Sequence, residues 1–441
     1  MRQEKNNIFL NIDWLLVILY FILVGFGWMN IYAASSTETS QEVFDFSTRY
    51  GKQLIWIALS MPIIIFILFF NAKFYEQYSS ILYLISLASL IGLFLFGKNI
   101  NGATSWYSFG GTGLQPSEFA KAFTALGVAK LMSDRKYNLN LLKNQLKAFI
   151  IIFAPALLIT LQPDPGSALI YLSFFFVLNR EGLTYAYIIT GSLAILLFIL
   201  TLYFGTPLML KLIIGIYCIY LLIALIYVVY KKYIDKISFH FSDIRRFLIN
   251  KCLRLFIILS GISIYILSIS FTYNNIFKQR HRDRFDILLG IKTDTKTIGY
   301  NSFQSQMTIS SGGFLGKGYL EGDRTQGRFV PEQETDYIFS TVGEEWGFLG
   351  STIVIIVFMC LLFRIIYLAE THTNKFGRIY GYGLASILFF HLIVNIGMVI
   401  GLLPTVGIPL PFCSYGGSGV WGFTLLLFIF IRLDAHKQYD L

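Results

Sequence analysis

The 441-residue sequence predicts an all-α fold, a polytopic transmembrane helical bundle of about 10–12 spans with one long loop outside the membrane. Three observations predict it. Hydrophobic residue types make up 55% of the chain and charged residues only 14%, with a mean hydropathy of +0.63, whereas a soluble globular chain carries roughly 25% charge. The apolar residues gather into blocks near or above the ~18–20 residues that cross a bilayer as a helix, for example Leu253–Phe271 and Ile379–Leu403. The short loops rich in Lys and Arg fall consistently on one side when the blocks are threaded alternately. An ordinary soluble enzyme, a disulfide-rich secreted domain and a nucleic-acid-binding domain are excluded. The net charge of +10, from 35 basic and 25 acidic residues, reads as cytoplasmic loop charge.

The first block, Trp14–Tyr32, exceeds the ~7–15 residues of a signal-peptide core and reads as an uncleaved span. The remaining blocks run over 52–70, 80–97, 117–132, 146–162, 166–179, 184–204, 208–230, 253–273, 338–365, 379–403 and 416–432. With the N-terminus inside, loop 133–147 (Arg135, Lys136, Lys143, Lys147) and loop 231–254 (Lys231, Lys232, Lys236, Arg245, Arg246, Lys251, Arg254) fall in the cytoplasm. Stretches 36–51, 98–116, 163–165 and 274–337 then face outward. The last is long enough to be either functional or disordered, and its polar backbone must sit above the membrane or line a wet cavity. Cys218, Cys252, Cys360 and Cys413 lie in or beside apolar segments and read as small buried hydrophobes. The five histidines are scattered, and no metal-ligand spacing is present.

Polar residues crowd the outward ends of these blocks. Asn101-Gly-Ala-Thr-Ser-Trp-Tyr107 precedes Gln115-Pro-Ser-Glu-Phe-Ala-Lys121. If Pro116 starts a helix, Glu118 and Lys121 share a face, either as a local ion pair capping the span or as charges turned to a cavity. In Leu161-Gln-Pro-Asp-Pro-Gly-Ser167 the prolines and glycine break an apolar run. Asp164 there is either a helix cap, favoured by the positive dipole end, or a site carboxylate on an irregular backbone.

The long outward stretch holds Arg280, His281, Arg282 and Arg284, then Gln304-Ser-Gln306 and the glycine-rich run Ser310–Gly318 with Lys317. The positive-inside bias does not explain arginines outside the membrane. They form either a headgroup-binding face or a recognition site for an anion such as phosphate. Asp336 stands where the chain re-enters the membrane, beside Tyr337 and Phe339. It is either the N-cap of the next span or a partly desolvated carboxylate suited to general-base work. Gly401–Phe412 and Ser414–Gly419 place prolines and glycines inside an apolar run, as a discontinuous cavity-lining helix or a re-entrant turn does.

The blocks NGATSW, QPSEFAK, QPDPGSAL, ISSGGFLGKG, TQGRFVPEQETDYIFSTVGEEWGFLG and GLLPTVGIPLPFCSYGGSG resemble, in that order and through almost the whole chain, the signature blocks of the SEDS family (shape, elongation, division and sporulation). Thr325-Gln326 before Phe329-Val-Pro-Glu resembles the rod-shape branch more than the division branch. The resemblance implies a single integral membrane domain over residues 1–441 in the bacterial inner membrane, a lipid II polymerase with its active site in the extracytoplasmic loop 274–337. It implies Asp336 as catalytic residue, and Glu118, Lys121, Asp164, Arg282, Arg284, Lys317, Gln306 and Trp106 as substrate-binding residues. Implied partners are lipid II, a class B penicillin-binding protein and membrane lipids, with no nucleic acid. No cofactor is required by it, although a divalent cation (Mg2+ or Mn2+) on Asp164 or Glu118 fits the chemistry. Two departures stand out. Glu334 replaces the family's histidine, and 205–252 reads as an insertion that adds a pair of spans or a hairpin only partly in the membrane. A flippase or transporter, a division-branch polymerase and a non-catalytic scaffold are the competing readings. A transporter needs polar residues along a whole pathway, whereas here they crowd the outer side.

Overall fold

The computed structural model describes residues 11–36, 45–100, 102–109, 112–233, 241–277, 279–292 and 299–436. The chain divides into two compact units, residues 1–184 with 295–441, and residues 185–294.

The first unit opens with α1 (Trp14–Ser35), α2 (Arg49–Phe69) and α3 (Ala72–Phe96). A small antiparallel sheet follows, β1 (Lys98–Ile100), β2 (Ala103–Phe109) and β3 (Thr112–Leu114), in the order β1-β2-β3. Next come α4 (Pro116–Ser133), α5 (Leu142–Leu161) and a broken segment made of α6 (Pro165–Leu169), a 3-10 turn over Ile170–Ser173 and α7 (Phe174–Arg180). The second unit holds α8 (Ala186–Phe204), α9 (Thr206–Tyr233), α10 (Phe241–Phe271), a π turn over Thr272–Ile276 and α11 (Gln279–Leu288). The chain returns to the first unit with α12 (Tyr300–Ser311), α13 (Asp323–Gln326), α14 (Ile338–Glu345), α15 (Gly347–Glu370), α16 (Lys375–Val399) and α17 (Gly417–His436).

Among the described residues ten helices are long and apolar enough to cross a membrane, namely α1, α2, α3, α5, α8, α9, α10, α15, α16 and α17. The chain is a multi-pass membrane protein with the helical bundle that the apolar blocks predict. α4 and the broken α6–α7 segment occupy the other two blocks. α4 is the polar centre of its unit, packed against α3, α5, α16 and α17. Its Ser117, Glu118, Lys121 and Thr124 are all buried, which is why its composition is weak as a span and its position is interior.

Three segments differ from the sequence-based expectation. Stretch 98–116 is a sheet: Gly102 (φ +88°) turns β1 onto β2 and donates its N–H to Asn99 Oδ1 at 3.0 Å. Block 338–365 is two helices, broken at Trp346–Gly347, where Gly347 takes φ +64°. Stretch 274–337 carries α11, α12 and α13, so part of its polar backbone is paired within local helices.

At the end of the first unit away from the sheet, paired charges tie the helices together. Asp13 caps α1 by accepting from the Leu16 N–H at 3.1 Å and also accepts from Arg364 Nε of α15 at 3.0 Å. Arg378 of α16 grips both carboxylate oxygens of Glu181 at 3.1 and 3.0 Å, and Arg180 of α7 grips Glu370 at 2.6–3.0 Å. Such forked pairs are the geometry in which a guanidinium binds a carboxylate best.

Candidate active site

At the sheet end of the first unit lies a cavity of about 320 Å³. It is bounded by β2, the start of α4, the turn into α6, the segment 332–336 before α14 and the connection between α16 and α17. Trp106, Glu118, Asp164 and Asp336 line it together with Gln115, Ser167, Glu332, Thr335 and Tyr415. Four residues singled out from the sequence, spread over 230 positions from Trp106 to Asp336, thus share one wall.

Trp106 is carried on β2 and lies against Gly113 of β3, where a Cβ would stand 2.8 Å from the indole. Only glycine leaves the ring that space. Glu118 enters from the first turn of α4, whose start is set by Pro116 and by the Gln115 N–H donating to Ser418 Oγ of α17 at 3.0 Å. Lys121, one turn further, does not line the cavity. Its Nζ lies 2.8 Å from Glu118 Oε2, 2.9 Å from His391 Nε2 and 4.8 Å from the centre of the Phe423 ring. Glu118 and Lys121 are only 4% and 2% exposed, so each compensates the other's desolvation.

Asp164 caps a helix and also lines the cavity. Oδ1 caps α6 by accepting from the Ser167 N–H at 3.1 Å, while Oδ2 accepts from Ser167 Oγ at 2.8 Å and Gln115 Nε2 at 3.2 Å. Asp336 is half-buried and is not a helix cap, because α14 starts at Ile338 with Tyr337 in the capping position. Its backbone carbonyl accepts from Asn395 Nδ2 at 2.8 Å, and the same amide donates to the Ile408 carbonyl at 2.7 Å. Gly407 (φ +74°) passes so close that a Cβ there would stand 3.3 Å from Asp336 Oδ2. The segment is further held by the Tyr415 N–H, which donates to the Glu334 carbonyl at 2.8 Å. Glu332 (φ +55°) and Phe412 (φ +64°), both lining the cavity, adopt the left-handed conformation that costs a non-glycine residue about 1–3 kcal/mol.

Lys317 and Gln306, in the same unit, are not among the residues that line this cavity. Lys317 is paired with Asp323 Oδ2 at 2.7 Å and Glu344 Oε1 at 3.3 Å. The Asp323 bond, then that of Glu344, holds its ammonium above the usual lysine range. The blocks around it fold on Glu344, a fully buried carboxylate that accepts from Ser311 Oγ, the Arg324 N–H, and the Thr325 N–H and Oγ1 at 2.7–3.0 Å. Gln306 is exposed on α12 with its amide against Gly401. Arg282 and Arg284 lie on α11 of the second unit, where Tyr273 OH donates to the Arg282 carbonyl at 3.0 Å. Among the described residues no group of three or more His, Cys, Asp or Glu side chains stands close enough to hold a metal ion.

Three contributors escape the motif-based reading. Arg49 of α2 pairs with Glu334. His391 and Asn395 are buried, one turn apart on α16. Polar residues at i and i+4 inside an apolar span are costly in lipid, and that expense was the available signal for the last two.

A family model described as cell cycle protein, FtsW/RodA/SpoVE, matches residues 13–217 and 213–439. The peptidoglycan glycosyltransferase MrdB of Escherichia coli K12 is 30% identical over 97% of this chain and 95% of its own length. The peptidoglycan glycosyltransferase RodA of Treponema pallidum is 28% identical, covering 96% and 98%. Among solved structures, a chain from a peptidoglycan synthase complex that coordinates polymerization and crosslinking superposes with TM-score 0.68 at 23% identity, covering 97% of this chain and 99% of that one. The rod shape determining protein RodA of Thermus thermophilus gives 0.59 at 20% identity, covering 97% of both. At these identities the solved structures establish the fold.

Proposed function

The chain belongs to the FtsW/RodA/SpoVE family of cell cycle proteins, and from that premise we propose that it is a peptidoglycan glycosyltransferase of the rod-shape branch, polymerising lipid II in cell elongation. One observation carries the assignment of the site. Asp336, Asp164, Glu118 and Trp106, four residues from distant signature blocks, line a single cavity, and Asp336 is backed by Asn395 and Gly407.

The donor sugar is linked α to diphosphate and the product glycan is β-1,4, so a single inverting displacement serves, and it needs one base. The 4-hydroxyl oxygen of the acceptor forms its bond to the donor's anomeric carbon while the bond from that carbon to the diphosphate oxygen breaks. The undecaprenyl diphosphate departs with the electron pair. Asp336 takes the hydroxyl proton, a step that typically contributes ~10²–10⁴-fold. Gln115 and Ser167 keep Asp164 Oδ2 facing the cavity as an acceptor for sugar hydroxyls, and the Trp106 face offers an apolar platform. Arg282 and Arg284, implied by the family resemblance as substrate-binding residues, would offset the charge on the departing diphosphate. Asp164 and Glu118 are the oxygen ligands a Mg2+ or Mn2+ ion would take, to offset charge on the departing diphosphate, although among the described residues no group of three or more His, Cys, Asp or Glu side chains stands close enough to hold a metal ion.

In this reading the cavity opens on the extracytoplasmic face of the bacterial inner membrane, and the partner is a class B penicillin-binding protein that cross-links the strands. A transporter would need a polar path through the bundle, whereas the end away from the sheet is tied by the Arg180–Glu370 and Arg378–Glu181 pairs. The test is polymerisation of lipid II by the purified protein with its penicillin-binding partner. Wild type yields glycan polymer and Asp336→Ala yields it about 10²–10⁴-fold more slowly; polymer of ordinary amount from Asp336→Ala overturns the base assignment.

A further inference from the structure

Beneath the cavity floor lies a buried imidazole that the mechanism above does not use. His391 is 1% exposed on α16, its ring edge-on to Phe423 at 4.9 Å between centroids. Its Nδ1 is 3.2 Å from the Pro409 carbonyl oxygen and its Nε2 is 2.9 Å from Lys121 Nζ. These two neighbours determine the tautomer. A carbonyl oxygen only accepts, so Nδ1 carries the hydrogen. An ammonium only donates, so Nε2 is bare and accepts from Lys121. A doubly protonated ring would set an N–H against the lysine, with both charges buried.

We propose that His391 is a positioning residue for this reaction: a neutral imidazole, fixed by Pro409, that holds the Lys121 ammonium against Glu118 and links that pair to the segment running beside Asp336. The geometry supports the link on both sides. Glu118 lines the cavity and Lys121 lies behind it, so His391 is the second polar acceptor that keeps the ammonium aimed at the carboxylate. Pro409, which orients the ring, lies two residues from Gly407, where a Cβ would stand 3.3 Å from Asp336 Oδ2. One helical turn along the same face of α16, Asn395 holds the Ile408 and Asp336 carbonyls. A single face of α16 therefore sets the Lys121–Glu118 pair and the Asp336 segment in register. A lysine with one carboxylate oxygen and no second acceptor would keep two N–H groups unsatisfied in a dry site.

The inference rests on the polymerase reading and deepens it. The test uses steady-state lipid II polymerisation by the full-length protein with its partner, alongside thermal unfolding in the same detergent. His391→Phe keeps a ring against Phe423 and removes both nitrogens; kcat falls about tenfold while KM stays within about twofold. His391→Gln restores one donor and one acceptor on a planar group and keeps kcat within about threefold of wild type. In a Lys121→Met background His391→Phe costs less than about twofold more, because the lysine it positions is gone. Wild-type kcat in a His391→Phe protein that unfolds at the wild-type temperature overturns the inference. So does His391→Gln no better than His391→Phe, or full additivity with Lys121→Met. If His391→Phe does not fold, His391→Gln decides alone, and a loss of tenfold or more there overturns it. A wild-type protein that makes no polymer overturns the polymerase reading and this inference with it, whereas polymer of ordinary amount from Asp336→Ala overturns the base assignment alone.

Discussion

Asn395 holds Asp336 by the main chain: its side-chain Nδ2 donates to the Asp336 carbonyl at 2.8 Å while reaching the Ile408 carbonyl at 2.7 Å. One buried amide thus joins the segment that carries the proposed base to the connection between α16 and α17, which also lines the cavity. Asn395→Leu, close in volume, removes the hydrogen bonds that both carbonyls accept from this amide. The expected cost is about 1–3 kcal/mol of stability, read as a lower unfolding temperature, together with at least a tenfold fall in polymerisation kcat. Asn395→Asp presents acceptors to both carbonyls and is expected to fare no better. Wild-type rates in Asn395→Leu would show that this amide does not place Asp336.

Gly407 gives a finer probe of the same carboxylate. Its φ of +74° is strained for any other residue, and a Cβ would stand 3.3 Å from Asp336 Oδ2. Gly407→Ala is expected to lower kcat about tenfold with a loss of only about 1 kcal/mol in stability. On an Asp336→Ala background it should change the residual rate by less than about twofold. Rates for the four proteins of this cycle, measured together, check it.

The Glu118–Lys121 pair makes a prediction about stability. Removing one member leaves the other charged and buried, which costs about 3–5 kcal/mol, whereas removing both costs far less. Lys121→Met and Glu118→Gln singly should each lower the unfolding temperature by more than the double variant does. Strict additivity of the two changes would mean that the pair is solvated and the interior position of α4 is wrong.

Glu345 predicts a pH dependence. It ends α14, ahead of the spanning helix α15, and burial pushes its carboxyl up from 4.5 to about 7, against a smaller opposing pull from the Leu320 backbone N–H. A raised carboxyl favours the protonated folded state, so its ionisation erodes stability as pH rises from 4.5 to about 7, and the loss is complete above that. Glu345→Gln is therefore expected to match wild type near pH 4.5 and to be more stable at pH 8, by on the order of 2 kcal/mol. Unfolding curves at the two pH values read the difference; a Gln variant less stable than wild type at pH 8 would refute it.

Much of the site is legible in the sequence because its signals are local. Pro116 announces the start of α4 and so puts Glu118 and Lys121 on one face. The prolines around Asp164 announce a broken helix, and the structure uses that break to cap α6 and to point the second oxygen inward. Lys317 shows where local reading fails. A lysine in a glycine-rich turn looks like an anion contact, yet Asp323 and Glu344, brought from six and 27 positions away, neutralise it. His391 and Asn395 are hard to read for a related reason: their i, i+4 spacing marks a polar face inside an apolar run, but the role of each depends on which neighbours donate to it and accept from it.

The amino-acid order by itself determined that this chain crosses the membrane many times and where its polar segments collect, since hydropathy, charge asymmetry and helix-breaking residues act over a turn or two of backbone. Tertiary structure alone decided which of those polar groups face one another. Whether a carboxylate lines a cavity, caps a helix or neutralises a lysine depends on the groups that packing sets beside it, as it sets Asn395 and Gly407 beside Asp336 and His391 beside Lys121.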